Sequence, residues 1–428
     1  DLDLSYNNLR IIKENSFKNL KNLRWLKLKN NRIESIENSS FFDNVNLKYL
    51  NIENNLIAFI RQAIFTGLRS LENLILKSNK IEFIESESFS NLNKLVYLDI
   101  SNNRLRSILN MTFTGLYMLE SLDLTKNPIH DINPFSFKDL EKLISTQNVH
   151  KYGLEFNNMK IKNLKQNAFY GLNLKNQFLN LDYNQISIIK KDYLEGLYIV
   201  NELRIRNNWI AIIENNAFSS INYLSILKLS NNFISKIDSK MFFNLTTLTE
   251  LDISNNLLRQ IDSFTFMYLI DLKKLYLMRN QIRTIKRYSF YNLRNIVKID
   301  FSFNKIEEIK EYHFNNLVNL QLLMLEGNRI INIDKNSFKN VPNLFRLDLE
   351  LNDISALKEN KFPFVIYLEE MFLSNNKIKY LPPNFFDNVQ VSFLYLDKNH
   401  IKEINENVFF NRFDLRALNL SDNHIESI

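Results

Sequence analysis

A frame of leucine, asparagine and phenylalanine recurs along this chain at a fixed step. That periodicity constrains the fold more than any other feature, because a period of 20–50 residues marks stacked units that cannot bury a core alone. One copy reads Leu23-x-x-Leu26-x-Leu28-x-x-Asn31-x-Ile33-x-x-Ile36. Its asparagine stands at Asn7, Asn31, Asn55, Asn79, Asn103 and Asn127. It resumes at Asn184 and continues through Asn208, Asn232, Asn256, Asn280, Asn304, Asn328, Asn352 and Asn376 to Asn399 and Asn423. The step is 24 residues, with 23 before Asn399 and one defective unit between Asn127 and Asn184. Residues 1–428 therefore read as one array of about 18 units.

Each position has a physical task. The Leu-x-Leu pair, or Leu98-x-Ile100, alternates with polar residues at period two, which predicts a short strand with one buried face. Strands repeated in one direction stack as a parallel sheet. The asparagine follows where the chain leaves the strand, and its amide carries donors and an acceptor for turn groups that no strand pairs. Sixty-six asparagines in 428 residues are then mostly structural. Ten residues beyond each ladder asparagine comes a phenylalanine, from Phe17 and Phe41 through Phe338 to Phe409, with Leu194 the one substitute. Rings at this spacing predict a stacked column in the core. The fold expected is an α/β repeat solenoid: a parallel β-sheet on the concave side, and loops, turns and short helices on the convex side.

The 24-residue frame with its phenylalanine resembles the "typical" leucine-rich repeat of animal extracellular proteins, as does Phe-x-Gly-Leu at Phe65–Leu68, Phe113–Leu116 and Phe169–Leu172. The long cysteine-free run is similar to chaoptin-type adhesion proteins, with Toll-like receptor ectodomains next. The resemblance implies a leucine-rich-repeat horseshoe or superhelix and a cell-surface adhesion protein that binds a protein partner, in that family also a second copy of itself. A ligand-sensing receptor ectodomain of Toll type is the alternative. It also implies an extracellular or cell-surface location, with membrane association through a region outside this segment.

The irregularities carry what the frame does not. From Asn127 to the equivalent Met159 is 32 residues, and Met159 lacks the amide, so a longer unit near 144–159 is expected, with an excursion at Gln147–Gly153. It is either a partner-contact loop or a tolerated insertion. The chain starts in mid-strand at Asp1-Leu2-Asp3-Leu4 and shows no capping segment at either end, so a segment of a longer array is expected.

On the sheet, residues flanking the buried pair face solvent and are free to carry specificity. In units 12 to 17 these include Tyr276, Met278, Phe303, Leu322, Met324, Leu351, Phe372, Phe393 and Tyr395, bordered by Glu326, Asp348, Glu350 and Glu370. Large apolar groups on a solvent face mark an interaction site. Arg204, Arg206, Lys228 and Arg279 predict a more basic stretch just before them. Asp99, Asp123 and Asp252 recur as a ladder rather than converging in a cleft, so they are not read as an acid–base pair.

Sequons stand at Asn38, Asn110, Asn244 and Asn419 as possible glycosylation sites. The histidines, His130, His150, His313, His400 and His424, read as surface residues, with His400 and His424 as neighbours. No catalytic constellation, metal site or cofactor motif is seen, and no enzyme is expected. A net charge of +7 without like-charge runs gives no reason to expect nucleic acid as a partner.

Overall fold

A computed structural model of the chain describes residues 1–140, 142–143, 153–334, 336–357, 367–382, 389–405, 408–409 and 414–427. It divides into two compact units, Asp1–Leu224 and Ser225–Ile428. Each is a parallel β-solenoid built from the repeat. Helix among the described residues is limited to the 3-10 turn Ser239–Phe242, so the expected short helices are almost everywhere plain turns. Most of the expected excursion at Gln147–Gly153 lies outside the described residues.

In the first unit the strands Leu2–Asp3, Trp25–Lys27, Tyr49–Asn51, Asn73–Ile75, Tyr97–Asp99 and Ser121–Asp123 pair in chain order, all parallel. Gly153–Glu155, Asn173–Asn180 and Ile199–Arg204 form a further parallel row. In the second unit Ile226–Lys228, Glu250–Asp252, Lys274–Tyr276, Lys298–Asp300, Leu322–Met324, Arg346–Asp348, Tyr367–Phe372, Gln390–Tyr395 and Ala417–Asn419 do the same. The register is one repeat per strand: Leu251 opposes Leu275, then Ile299, Leu323 and Leu347. A slip of one residue would turn every buried leucine outward, so this register is strongly specified. Two-residue strands form a second set of ladders, such as Ile11–Ile12 with Ser35–Ile36 and Glu308–Ile309 with Asn332–Ile333.

The leucines of the frame are fully buried, Leu26, Leu50 and Leu275 among them, and each stabilises the fold by about 1.5–3 kcal/mol. The phenylalanines stack as expected: Phe266 on Phe290 at 6.1 Å and 3°, Phe290 on Phe314 at 5.8 Å and 11°. The column runs through the irregular unit, where Phe137 and Phe169 stack at 6.1 Å and 8° although 32 residues apart.

The ladder asparagines do what their amides allow. Asn304 Nδ2 donates to the carbonyl oxygens of Phe301 (2.9 Å) and, one turn back, Leu277 (3.0 Å), while its Oδ1 accepts the Ile282 N–H (3.0 Å). At the defective unit Met159 is buried and supplies no amide, and Asn184 takes on a second bond, its Oδ1 accepting from the N–H of both Met159 and Ile161. The chain leaves each strand through a left-handed residue just before the asparagine, for example Asn54, Asn102 and Asn255, residue types that tolerate that conformation. The glycine of Phe-x-Gly-Leu is required by contact: Gly67 has φ 98°, and a Cβ there would meet the Phe42 carbonyl oxygen at 2.5 Å.

Candidate functional site

The sheet face of the second unit gathers the residues singled out above. Their positions follow from the frame. Four residues before the ladder asparagine, at the end of the strand, the column reads Asp252, Tyr276, Asp300, Met324, Asp348, Phe372, Tyr395 and Asn419, each opposed to the next in register. Two residues earlier, at the other end of the same flank, stand Lys274, Lys298, Leu322, Arg346, Glu370 and Phe393. Met278, Phe303 and Leu351, read from sequence as strand positions, instead lie in the turn past the strand. The main strands of most repeats span only three residues, and Phe303 (φ 57°) and Leu351 (φ 54°) are the left-handed residues that turn the chain away.

The polar members of the column have a fold-building task that sequence alone did not reveal. Asp252 Oδ1 accepts the N–H (2.9 Å) and the hydroxyl (2.6 Å) of Ser254, two residues on. Asp300 accepts the N–H of Ser302 and Asp348 that of Glu350. Asp3, Asn51, Asp99, Asp123 and Asn180 do the same in the first unit, and Asn419 in the second. These side chains cap the turn that leaves the strand. The recurring Asp thus has a task in the fold. Tyr276, Met324, Phe372 and Tyr395 occupy the same column without a side-chain oxygen that could make this cap.

The apolar groups do not form one continuous stripe. Phe372 and Tyr395 stack at 4.5 Å and 5°, the Arg346 guanidinium sits 4.3 Å from the centre of the Phe372 ring, and the Lys298 ammonium 4.9 Å from that of Tyr276. Arg279 lies over Phe303 at 4.9 Å. Aromatic faces here already receive cations, at about 0.5–1 kcal/mol for such exposed pairs. The acids beside them are unevenly matched. Arg346 bridges Asp348 (3.2 Å) and Glu370 (3.0 Å). Glu326, Glu350 and Asp397, all two residues before a ladder asparagine, have no cation within 4.0 Å among the described residues. Partial burial pushes the Glu326 carboxyl up, and Asp348, Glu350 and Asp300 add to the rise. The negative potential of this face is thus under-compensated.

The basic stretch expected before it is paired with acids at three of its four residues, Arg279 lying instead over the Phe303 ring. Arg204 makes two bonds of 2.8 Å to Glu202, Arg206 holds Asp182 at 2.6 Å, and Lys228 meets Glu250 at 3.7 Å. In the first unit the sheet carries an aromatic pair the sequence reading passed over, Trp25 stacked on Tyr49 at 4.8 Å. Its signal was an aromatic at the same strand position in consecutive repeats.

Asn38, Asn110 and Asn244 are exposed and lie off the main strands. Asn419 is on the sheet face with its amide donated to Asp397 (2.9 Å). His400 and His424 are stacked neighbours at 5.7 Å, as anticipated. His313 is not a surface residue. It is 6% exposed and occupies the position where other repeats bury a serine: Ser289 Oγ donates to the Ile261 carbonyl and Ser337 Oγ to that of Ile309. His313 instead bonds the Ile285 carbonyl, its Nδ1 accepts the Lys310 N–H (3.1 Å), and burial pushes its pKa down to about 4. Among the described residues no group of three or more His, Cys, Asp or Glu could hold a metal ion, and no helix is long and apolar enough to cross a membrane.

Comparison with known proteins agrees with this geometry. The "Leucine rich repeat" family model matches residues 1–57, 45–105 and 95–145. The "BspA type Leucine rich repeat region" model matches 162–297 and 283–416. No curated protein sequence matches the chain. Among solved structures, that of the Toll–Spatzle complex of Drosophila is similar at 18% identity and a TM-score of 0.63, covering 98% of this chain and 58% of that one. A leucine-rich-repeat protein of Leptospira interrogans is similar at 23% identity and a TM-score of 0.53, covering 100% of this chain and 91% of that one. At these identities the likeness is one of fold. The chain spans less than two thirds of the length of the Toll chain.

Proposed function

The chain belongs to the leucine-rich-repeat family, whose domains generally bind proteins, and we propose that it is an extracellular, cell-surface recognition protein of the chaoptin adhesion type. It holds a protein partner on the sheet face of the second unit. The observation that carries this is the column four residues before the ladder asparagine. Asp or Asn there caps the turn; Tyr276, Met324, Phe372 and Tyr395 forgo the cap, as Lys27, Ile75, Arg204 and Lys228 do elsewhere, and they cluster part-exposed apolar surface on this one stretch of sheet. The Phe372–Tyr395 stack and the cation contacts offset part of the lost caps, and the part-exposed apolar surface that remains is what a partner would cover.

The chemistry of the face specifies the partner further. Glu326, Glu350 and Asp397, with no cation within 4.0 Å among the described residues, stand beside part-exposed rings whose faces already hold Tyr395, Arg346 and Lys298. A basic protein segment with apolar side chains is complementary to both. Within the second unit Asn244 is exposed off the main strands, where a glycan would leave the sheet face clear.

The test is cell staining by the purified chain, as wild type and as Phe372→Asp with Tyr395→Asp, measured by flow cytometry on cells with and without prior trypsin treatment. Wild type stains cells and trypsin removes the signal; the double variant, unfolding at an unchanged temperature, loses at least about tenfold in half-saturating concentration, the loss of one interface anchor. Equal staining by the variant, or staining that survives trypsin, overturns the proposal.

A further inference from the structure

One repeat of the second unit is basic throughout. Between Leu272 and Ile299 it carries eight lysines and arginines and no acidic residue, in a chain whose net charge is +7. Three of these pair with neighbouring repeats or strand-mates: Lys274 with Glu250 (3.5 Å), Lys286 with Asp262 (2.7 Å) and Lys298 with Asp300 (3.9 Å). Arg287 and Arg294 have no carboxylate partner among the described residues. Both are exposed, and both line a cleft of about 480 Å³ between the return segments of two successive turns, away from the main strands. That volume falls in the range of small-ligand pockets.

The other walls of the cleft limit what it takes. Tyr288 and Tyr291 are 48% and 53% exposed. The Tyr288 ring is committed: Phe264 stacks on it at 5.6 Å and 13°, and the Arg287 guanidinium lies 4.8 Å from its centre. Tyr291 meets Phe264 edge-on at 5.4 Å. The tyrosines thus offer hydroxyls more than free faces, which disfavours a stacked nucleobase, since single-strand readers depend on open aromatic platforms. Asn315 lines the same cleft, and its Oδ1 is buried without a hydrogen-bond partner. A buried acceptor left without a donor asks for one. Beneath, His313 is bonded at both nitrogens and serves as floor.

We infer that this cleft binds an acidic saccharide, a sugar bearing sulfate or carboxylate, with Arg287 and Arg294 on the anionic group and Asn315 Oδ1 on a hydroxyl. Guanidinium forks suit planar or tetrahedral oxyanions. A bare sulfate or phosphate satisfies the arginines and leaves Asn315 orphaned; a neutral sugar does the reverse. Only a ligand with both groups answers both walls. The site is separate from the sheet face and does not depend on the protein-binding role proposed above.

The experiment is titration of the purified chain with a heparin hexasaccharide, with maltohexaose, inorganic sulfate and a single-stranded hexanucleotide as comparators. Three variants are compared after thermal unfolding shows them folded: Arg287→Ala with Arg294→Ala, Lys273→Ala with Arg283→Ala, and Asn315→Leu. The second removes the same charge from the same repeat outside the cleft. The expected result is hexasaccharide binding that falls at least about tenfold in the Arg287/Arg294 variant. It falls by less than about threefold in the Lys273/Arg283 variant. Asn315→Leu weakens the hexasaccharide and leaves competition by inorganic sulfate unchanged. Equal losses in both charge variants reduce the effect to diffuse attraction and overturn the inference. So does a hexanucleotide that binds as tightly as the hexasaccharide, or inorganic sulfate that displaces it at equal concentration. Trypsin-sensitive cell staining by the Arg287/Arg294 variant stays at wild-type level, which keeps the two proposals separately falsifiable.

Discussion

The asparagine ladder can be tested by removing one rung. In Asn304→Ala the buried Ile282 N–H loses its partner outright, and the Leu277 and Phe301 carbonyl oxygens each lose one of two amide donors, keeping those of Asn280 and Asn328. Ile282 and Leu277 belong to the preceding turn, so the loss weakens the contact between repeats as well as the turn itself. Leaving a buried polar group unsatisfied costs about 1–3 kcal/mol. With the two further bonds lost at about 0.5–1.5 kcal/mol each, the expected cost is about 2–6 kcal/mol. Asn7→Ala is the internal control. Asn7 donates only to the carbonyls of Leu4 and Ser5 in its own exposed turn, which water replaces at about 0.5–1 kcal/mol. Urea unfolding followed by circular dichroism gives both values, and native-state hydrogen exchange at Ile282 locates the effect. Similar costs for the two variants would refute the claim that the ladder acts by joining turns.

Other expectations follow from the same geometry. His313 is held neutral with a pKa of about 4, below the value near 6.5 of the unfolded chain. The unfolded state therefore binds the proton first, and stability present above about pH 6.5 is lost as pH falls toward 4; the linkage amounts to about 1.4 kcal/mol at pH 5.5. His313→Ser, which restores the residue of the neighbouring repeats, removes that part of the slope; an unchanged pH profile of the unfolding temperature would count against it. Gly67→Ala forces a Cβ against the Phe42 carbonyl and costs at least about 1 kcal/mol in chemical denaturation, more than the reduced freedom of the unfolded chain returns. A chain secreted from animal cells carries glycans at Asn38, Asn110 and Asn244 and not at Asn419, read by peptide mass after enzymatic release.

The repeat and its core were legible because each column recurs many times, so a residue's task is averaged over the array. The parallel register, the phenylalanine stack and the amide bonds of the ladder all follow from a 24-residue step and the chemistry of three side chains. What was not legible needed the neighbouring turn. The two-residue strands, such as Glu308–Ile309, are too short to show a period. The Asp252–Ser254 cap is a bond within one turn, yet the pattern Asp-x-Ser looks like any exposed pair. His313 passed as a surface residue because its position is defined by the buried serines of other repeats, not by its own neighbours. The candidate face was half visible: Phe372 and Tyr395 could be picked out as large apolar residues flanking the buried pair of the strand, and they are part-exposed. That Phe303 and Leu351 belong to the turn instead depended on where each strand ends.

The central claim is that Tyr276, Met324, Phe372 and Tyr395 are present for a partner and against the interest of the fold. The most direct measurement is a quadruple variant with Asn at all four positions, which caps the turn without stacking like charges on Asp252, Asp300 and Asp348, compared with wild type in thermal unfolding and in cell staining side by side. Each Asn regains the cap made by Asn51, Asn180 and Asn419, and such local caps contribute about 0.5–1.5 kcal/mol. The account predicts an unfolding temperature equal to or above wild type, together with loss of trypsin-sensitive staining. An unfolding temperature that drops while staining persists would show that these side chains serve the fold, and would contradict the account.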